Sequence, residues 1–512
     1  MHKDTSSNPD ADVGPGIVAG RGAGVPGNHG IISATENNPT EARFSRRRIL
    51  EMGAYGAMAA AGGGILAGCS SAAKKLTPSP SKPLPLPRQG QHIFESGHLP
   101  YPHLEPGTDT MPEIEHIVVL VEENRSFDHL LGMLGRGNGF KLGSKGLPTA
   151  TNPYHNGELI RAFPDPNPCR TEAQPVQSWY DSHFQYDHGT NQGFARSASG
   201  PAAMGYYTGA TIPFTYGLAS TFPIGDNYFC SVMGPTFPNR SYLIAGTSSG
   251  LIKDVLPPQP AHGTIVDTLN THGISWRDYY SDLPTLDLFY LSGPQSIRKN
   301  IVPIAQFYAD AQAGTLPSFA LIDPQFTKSG STEANSEGEG QDIQYGDAFI
   351  ARVVNAVMTG PGWSKTILVI TYDEHGGYFD HVPPPSAVPP DNIPPDAPKD
   401  EQYDGFARYG FRVPAIVVSP YAKPNYVSHV VYDHTSILKL VETKWNLPAL
   451  TARDANAANM LDFLDLRHAA FATPPRLPAP PDPALLDSCL TSGPGGTPSP
   501  GQIPPPSAII KS

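Results

Sequence analysis

Ile117-Val118-Val119-Leu120-Val121 runs directly into Glu122-Glu123-Asn124-Arg125-Ser126-Phe127-Asp128-His129. An aliphatic run without polar alternation, inside an apolar stretch covering 114–121, reads as a strand buried on both faces. The pattern returns at 318–322, 367–372 and 413–418, each run bounded by Pro, Asp or Glu. Between them, apolar residues fall at helical spacing in 349–358 and again in 435–445, where Ile437, Leu438, Val441 and Trp445 share one side. Strands alternating with helices predict an α/β fold, a largely parallel central sheet covered by helices on both faces. There is no internal repeat.

The ends of the 512-residue chain read differently. Its 57 prolines and 51 glycines lie largely outside the periodic segments, so the folded core is shorter than the chain. A net charge of -12 excludes a nucleic-acid surface, which needs clustered Lys and Arg. Ser45-Arg46-Arg47-Arg48-Ile49-Leu50 precedes a weakly apolar, Ala- and Gly-rich run over 52–67, the arrangement of a twin-arginine export signal. That run is shorter than the roughly 20 residues of a bilayer span. It ends in Leu66-Ala67-Gly68-Cys69, which resembles a lipoprotein cleavage site with Cys69 as the acylated first residue. An ordinary signal with an incidental cysteine, or a basic patch before a buried helix, would use the same residues. The expected organisation is a signal over 1–68, a Pro-rich tether over 69–112, a catalytic domain over 113–473 and a Pro-rich tail over 474–512. The expected location is the cell envelope, lipid-anchored at Cys69, or otherwise periplasmic or secreted. With Cys69 acylated, Cys169, Cys230 and Cys489 allow one disulfide of open pairing.

Open parallel sheets carry their chemistry just past the carboxyl ends of the strands. There Glu123 and Asn124 follow one run, while Asp373-Glu374-His375-Gly376-Gly377-Tyr378-Phe379-Asp380-His381 follows another. A carboxylate and an amide oxygen facing paired carboxylates would make a hard oxygen cage for a divalent cation. Taken singly, Glu123 and Asn124 equally suit a helix cap, and Asp373 and Glu374 surface salt bridges. A third segment, Gly234-Pro235-Thr236-Phe237-Pro238-Asn239-Arg240, holds one hydroxyl in a loop bounded by prolines. A cation would make Thr236 a usable nucleophile, and Arg240 offers donors to phosphate. Alone, Thr236 also reads as a turn hydroxyl and Arg240 as a surface cation.

Together these segments resemble the phosphoesterase family of bacterial phospholipases C, plant non-specific phospholipases C and certain acid phosphatases. The blocks E-N-R-S-F-D-H, G-P-T-x-P-N-R and D-E-H-G-G-x-x-D-H-V occur in family order, followed by Asp404-Gly405-Phe406, Arg412-Val413-Pro414 and Asp433-His434-Thr435-Ser436-Ile437-Leu438. The resemblance covers 113–466 and implies an alkaline-phosphatase-like fold. It implies Glu123, Asn124, Thr236, Asp373 and Glu374 as metal ligands, Thr236 as the nucleophile forming a phosphothreonine, and Arg240 at the phosphate. His434 and His375 would handle protons or serve in the core. Oxygen-rich ligation favours Ca, Mg or Mn and admits Zn.

Two family features are absent. Gln177 and Thr190-Asn191-Gln192-Gly193-Phe194 stand where the family has a histidine and an N-x-G-x-M-D-G-F block, although His183 is kept. A Glu-His-Pro-Pro stretch is replaced by Glu337-Gly338-Glu339-Gly340-Gln341-Asp342, whose acids read as a solvated loop rather than a second cation site. The expected activity is phospholipase C-like hydrolysis of phospholipid or related phosphodiesters. The alternatives are an acid phosphatase acting on phosphomonoesters and an inactive lipid-anchored binding protein. Trp179, Tyr180, Phe184, Tyr206 and Tyr207 suit either an apolar approach for acyl chains or core packing. Nothing in the sequence fixes the oligomeric state.

Overall fold

The computed structural model describes residues 93–165, 168, 175–329, 332–338, 341–486 and 504–511, all within the unit Phe44–Ser512. The export signal, Cys69, Cys169, Glu339 and Cys489 lie outside the described residues. No helix among the described residues is long and apolar enough to cross a membrane.

Eight strands form the central sheet: β1 (His116–Glu122), β2 (Ile224–Gly225), β3 (Trp276–Tyr280), β4 (Ile301–Pro303), β5 (Phe319–Asp323), β6 (Thr366–Tyr372), β7 (Ala415–Val418) and β8 (Val427–Ser428). Their order is β8-β2-β7-β6-β1-β5-β3-β4. β6, β1, β5, β3 and β4 run parallel to one another, while β7 is antiparallel to both β6 and β2. Successive side chains on a strand point to opposite faces, so a strand whose every position is buried must be covered on both. β5 and β6 are buried throughout, and β1 everywhere but His116. This is the expected α/β fold with its largely parallel sheet.

Five helices matter for the site: α1 (Phe127–Leu131), α2 (Trp179–Tyr186), α3 (Thr236–Ala245), α4 (Ile343–Thr359) and α5 (His434–Trp445). Thr236 therefore opens a helix rather than sitting in a free loop. Pro238 is accommodated because first-turn N–H groups have no helical acceptor.

Both Pro-rich ends extend the folded body further than their composition suggests. Within the expected tether, Gly107 N–H donates to the Trp445 carbonyl at 2.9 Å and Thr110 N–H to that of Lys444 at 2.7 Å. These contacts satisfy carbonyls that the end of α5 would leave without partners. In the expected tail, Ile509 and Ile510 pair with Ile160 and Leu159 as the edge of a three-stranded sheet. Cys230 is buried with a free thiol, so it takes no part in the disulfide allowed by the cysteine count.

Candidate active site

The parallel register of β1 and β6 places Glu122 opposite Tyr372, so the chain leaves both strands at the same sheet edge. The two exits are bonded together. Asp373 N–H donates to the Glu122 carbonyl at 3.1 Å, and Arg125 N–H to that of Glu374 at 3.0 Å. Asn124 N–H reaches Asp373 Oδ1 at 3.1 Å. Asn124 makes this crossing with a φ of 64°, a left-handed conformation that Asn tolerates. Opposite it, Gly376 must be glycine, because a Cβ there would lie 2.1 Å from the Asn124 carbonyl oxygen.

Thr236 meets this edge from α3. Its hydroxyl donates to Glu123 Oε1 at 3.3 Å, and Glu123 Oε2 accepts from Ser336 at 3.0 Å. The structure thus brings Glu123, Asn124, Thr236, Asp373 and Glu374 to one side of the sheet, all 9% exposed or less. Thr236 also stands at a helix N-terminus, where backbone N–H groups and the helix dipole favour an anion.

The residues fit a cation in part. Asn124 Oδ1 is buried without a hydrogen-bond partner, and the surrounding donors are hard oxygens carrying negative charge. The carboxylates of Glu123, Asp373 and Glu374 do not converge within 4.8 Å as a trio. Among the described residues that spacing is met by Asp128, Asp380 and His381. There, however, the buried Arg412 already supplies the positive charge, reaching Asp128 at 3.1 Å and Asp380 at 2.8 Å. A dication would be repelled, so this second cluster is an ion-pair knot tying α1, the loop after β6 and the entry to β7 together.

Arg240 is committed below the site rather than projecting into it. Its guanidinium donates to Asp373 Oδ2 at 3.1 Å, Asp323 Oδ1 at 2.9 Å and Thr285 at 3.0 Å. The carbonyls of Val121 and Glu122 accept from Nη2 at 3.3 and 3.4 Å. His434 is likewise occupied: Nε2–H donates to the Asp373 carbonyl at 2.7 Å and Nδ1 accepts from the Tyr228 hydroxyl at 3.2 Å. His375 Nε2 donates to Gln185 Oε1 at 2.7 Å, and burial pushes its pKa down to about 3. Neither histidine is hydrogen-bonded to Thr236, and both are held neutral by burial. These geometries suit positioning of the site.

Several supporting residues escape a motif search. Asp323, the partner of Arg240, ends β5 and would have been found by the strand-end rule. Ser336 and Gln185 carry no periodic or motif signal. The described acids of that loop are not solvated: Glu337 is 1% exposed, accepts from the Tyr372 hydroxyl at 2.9 Å and has its pKa pushed up to about 8 by burial. Asp342 is also buried, and it caps α4 by accepting from Gln344 N–H at 2.9 Å.

A model of the Phosphoesterase family matches residues 114–448. The chain belongs to that phosphoesterase family. Phospholipase C A of Mycobacterium tuberculosis is 31% identical to it over 440 residues, 72% of this chain and 80% of the relative. Non-specific phospholipase C6 of Arabidopsis thaliana is 34% identical over 413 residues, covering 72% and 74%. A solved structure of a Vibrio parahaemolyticus protein in the alkaline phosphatase superfamily aligns with 72% of each chain at 10% identity, with a TM-score of 0.34. This phosphoesterase is an enzyme, a hydrolase of phosphoric ester bonds.

One consequence of the site's surroundings is testable by pH. His183 of the phosphoesterase is buried between Trp179 and Tyr403, and burial lowers its pKa from 6.5 to about 4. The unfolded chain therefore takes up a proton below pH 6.5 that the folded chain refuses until about pH 4, so stability falls with pH through that window. Urea denaturation should show His183 costing about 2 kcal/mol at pH 5 relative to pH 7, a slope that His183→Gln removes. An unchanged slope in the variant would assign the pH dependence elsewhere.

Proposed function

We propose that this phosphoesterase is an exported, metal-dependent enzyme of phospholipase C type that cleaves phospholipid or related phosphodiesters through a phosphothreonine on Thr236. The observation that carries the proposal is the Thr236 hydroxyl, buried at the first turn of α3 and bonded to Glu123 beside Asn124, Asp373 and Glu374. The relatives' names, phospholipases C from a bacterium and a plant, support a diester rather than a monoester substrate.

Glu123, Asn124, Thr236, Asp373 and Glu374 would hold the cation, with Ca, Mg or Mn suited to the oxygen donors and Zn admissible. A cation bound there lowers the cost of deprotonating the hydroxyl and offsets charge on the phosphoryl oxygens. Thr236 Oγ1 attacks phosphorus, its proton passes towards Glu123, and the bond from phosphorus to the alcohol oxygen breaks. The departing alcohol takes up the proton released by Thr236. Water then attacks the phosphothreonine, the phosphorus–Oγ1 bond breaks, Thr236 regains its proton and a phosphomonoester leaves. Asp373 is kept in place by Arg240 on its carboxylate and His434 on its carbonyl.

Export and anchoring at Cys69 are part of the proposal, resting on the paired arginines and the Leu66-Ala67-Gly68-Cys69 sequence. The test is the full chain dialysed against EDTA and assayed on a phosphodiester and a phosphomonoester, before and after Ca, Mg, Mn or Zn is returned. Loss of diester hydrolysis on chelation and recovery with one cation is expected. Hydrolysis indifferent to chelation would remove the metal from the mechanism, and a preference for the monoester would turn the reading to an acid phosphatase.

A further inference from the structure

We propose that Tyr180, Phe184, Val255, Leu256, Ile393 and Tyr403 form one apolar face beside Thr236, by which the protein seats on a bilayer of zwitterionic phospholipid. The proposal rests on the phospholipid reading above. Each of these side chains is between 36% and 50% exposed. Exposed apolar side chains scattered singly need no explanation, but a group on adjoining segments marks an interaction surface.

The adjoining is visible in the contacts. Tyr180 and Phe184 lie four apart on α2 and so share a face. Trp179 Nε1 donates to the Glu401 carbonyl at 2.9 Å, and Tyr403 stacks on His183 at 4.0 Å, which joins α2 to the loop over 393–403. That loop is tied to the next segment by Asp396 N–H, which donates to the Gly250 carbonyl at 2.8 Å. A Cβ on Gly250 would lie 3.0 Å from Ile393 Cγ2. The chain then reaches Asp254, whose Oδ1 accepts from Phe237 N–H at 2.8 Å, and Val255 and Leu256 follow at once. Trp179 closes the circuit, since Cε3 lies 4.0 Å from a Cβ placed on Gly234. The apolar face is thus anchored to the residues on both sides of Thr236.

Charge selects the occupant. Asp181, Asp396, Asp400 and Glu401 outnumber Lys253 and Lys399 on these segments, and Arg408 is bonded to Asp404. Anionic leaflets are held by clusters of Lys and Arg, which this collar lacks. An acidic collar complements the outward ammonium groups of a zwitterionic surface, and tyrosines suit the boundary where one end of the side chain is wet.

The test uses the full chain with Cys69→Ser, so that no acyl anchor contributes, and the same chain with Phe184→Ser and Leu256→Ser. Co-sedimentation with phosphatidylcholine vesicles in EDTA reads binding without turnover. The proposal expects the parent to sediment and the double variant to partition about tenfold less, with hydrolysis of a short-chain diester in solution unchanged. Equal sedimentation of both, or parent binding that requires phosphatidylglycerol, would overturn it. So would a parent dimer in gel filtration that the double variant dissociates, because a second copy would then cover the face. Vesicle binding without turnover of any diester would uphold the face and overturn the phospholipase reading.

Discussion

Thr236→Ala is expected to lower the kcat for a soluble phosphodiester by roughly 10^4-fold or more, as removal of a covalent nucleophile does in other hydrolases. Water attacking phosphorus directly would have to replace a hydroxyl that is already placed and bonded to Glu123. The fold should tolerate the change. Alanine is the best helix former for the start of α3, and the lost hydrogen bond is long, contributing about 1 kcal/mol at most. Steady-state kinetics alongside a thermal melt checks both statements, and acid quenching should trap labelled phosphate on the parent but not on the variant. A variant within tenfold of the parent in kcat would sink the nucleophile assignment.

Arg240→Met is expected to destabilise the protein by about 3–5 kcal/mol, measured by urea denaturation. The buried guanidinium faces Asp323 and Asp373, at 2% and 0% exposure, and methionine would leave both carboxylates without their cation. A residue whose task is to grip substrate phosphate would behave otherwise, raising KM while the unfolding midpoint stayed put. The outcome therefore separates the role implied by the family motif from the one implied by the contacts. Full stability with a raised KM would restore Arg240 as a phosphate ligand.

The difference between those roles shows where sequence reasoning stopped. Long aliphatic runs specify β1, β5 and β6 because burial on both faces favours apolar residues through the middle of each strand and leaves the polar ones, such as Glu122, Asp323 and Thr371, near the strand ends. β3 was not legible, since Trp276-Arg277-Asp278-Tyr279-Tyr280 mixes charges into a strand whose Arg277 and Tyr280 stay partly exposed. α3 was hidden by its prolines, which local rules read as loop punctuation although the first helical turn accepts them. Glu337, and Arg240 when taken alone, read as solvated, because a charged residue in isolation shows no partner; what reverses that reading is a partner elsewhere in the chain. For Glu337 the partner is Tyr372, and for Arg240 it is Asp323 and Asp373.

The sequence by itself determined the α/β architecture, the strand ends that carry Glu123, Asn124, Asp373 and Glu374, and membership of the phosphoesterase family, because these follow from local patterns of hydrophobicity and from motif order. Only the tertiary structure decided which groups face Thr236 and which lock the frame beneath it. It assigned Ser336 to Glu123, Gln185 to His375 and the backbone of Asp373 to His434. It also linked α2 to the loop over 393–403, and that loop to Gly250, through contacts between segments. Such assignments depend on register and on packing between segments far apart in the chain, from 61 residues between Asp373 and His434 to 213 between Glu123 and Ser336, and nothing in the local sequence encodes that pairing.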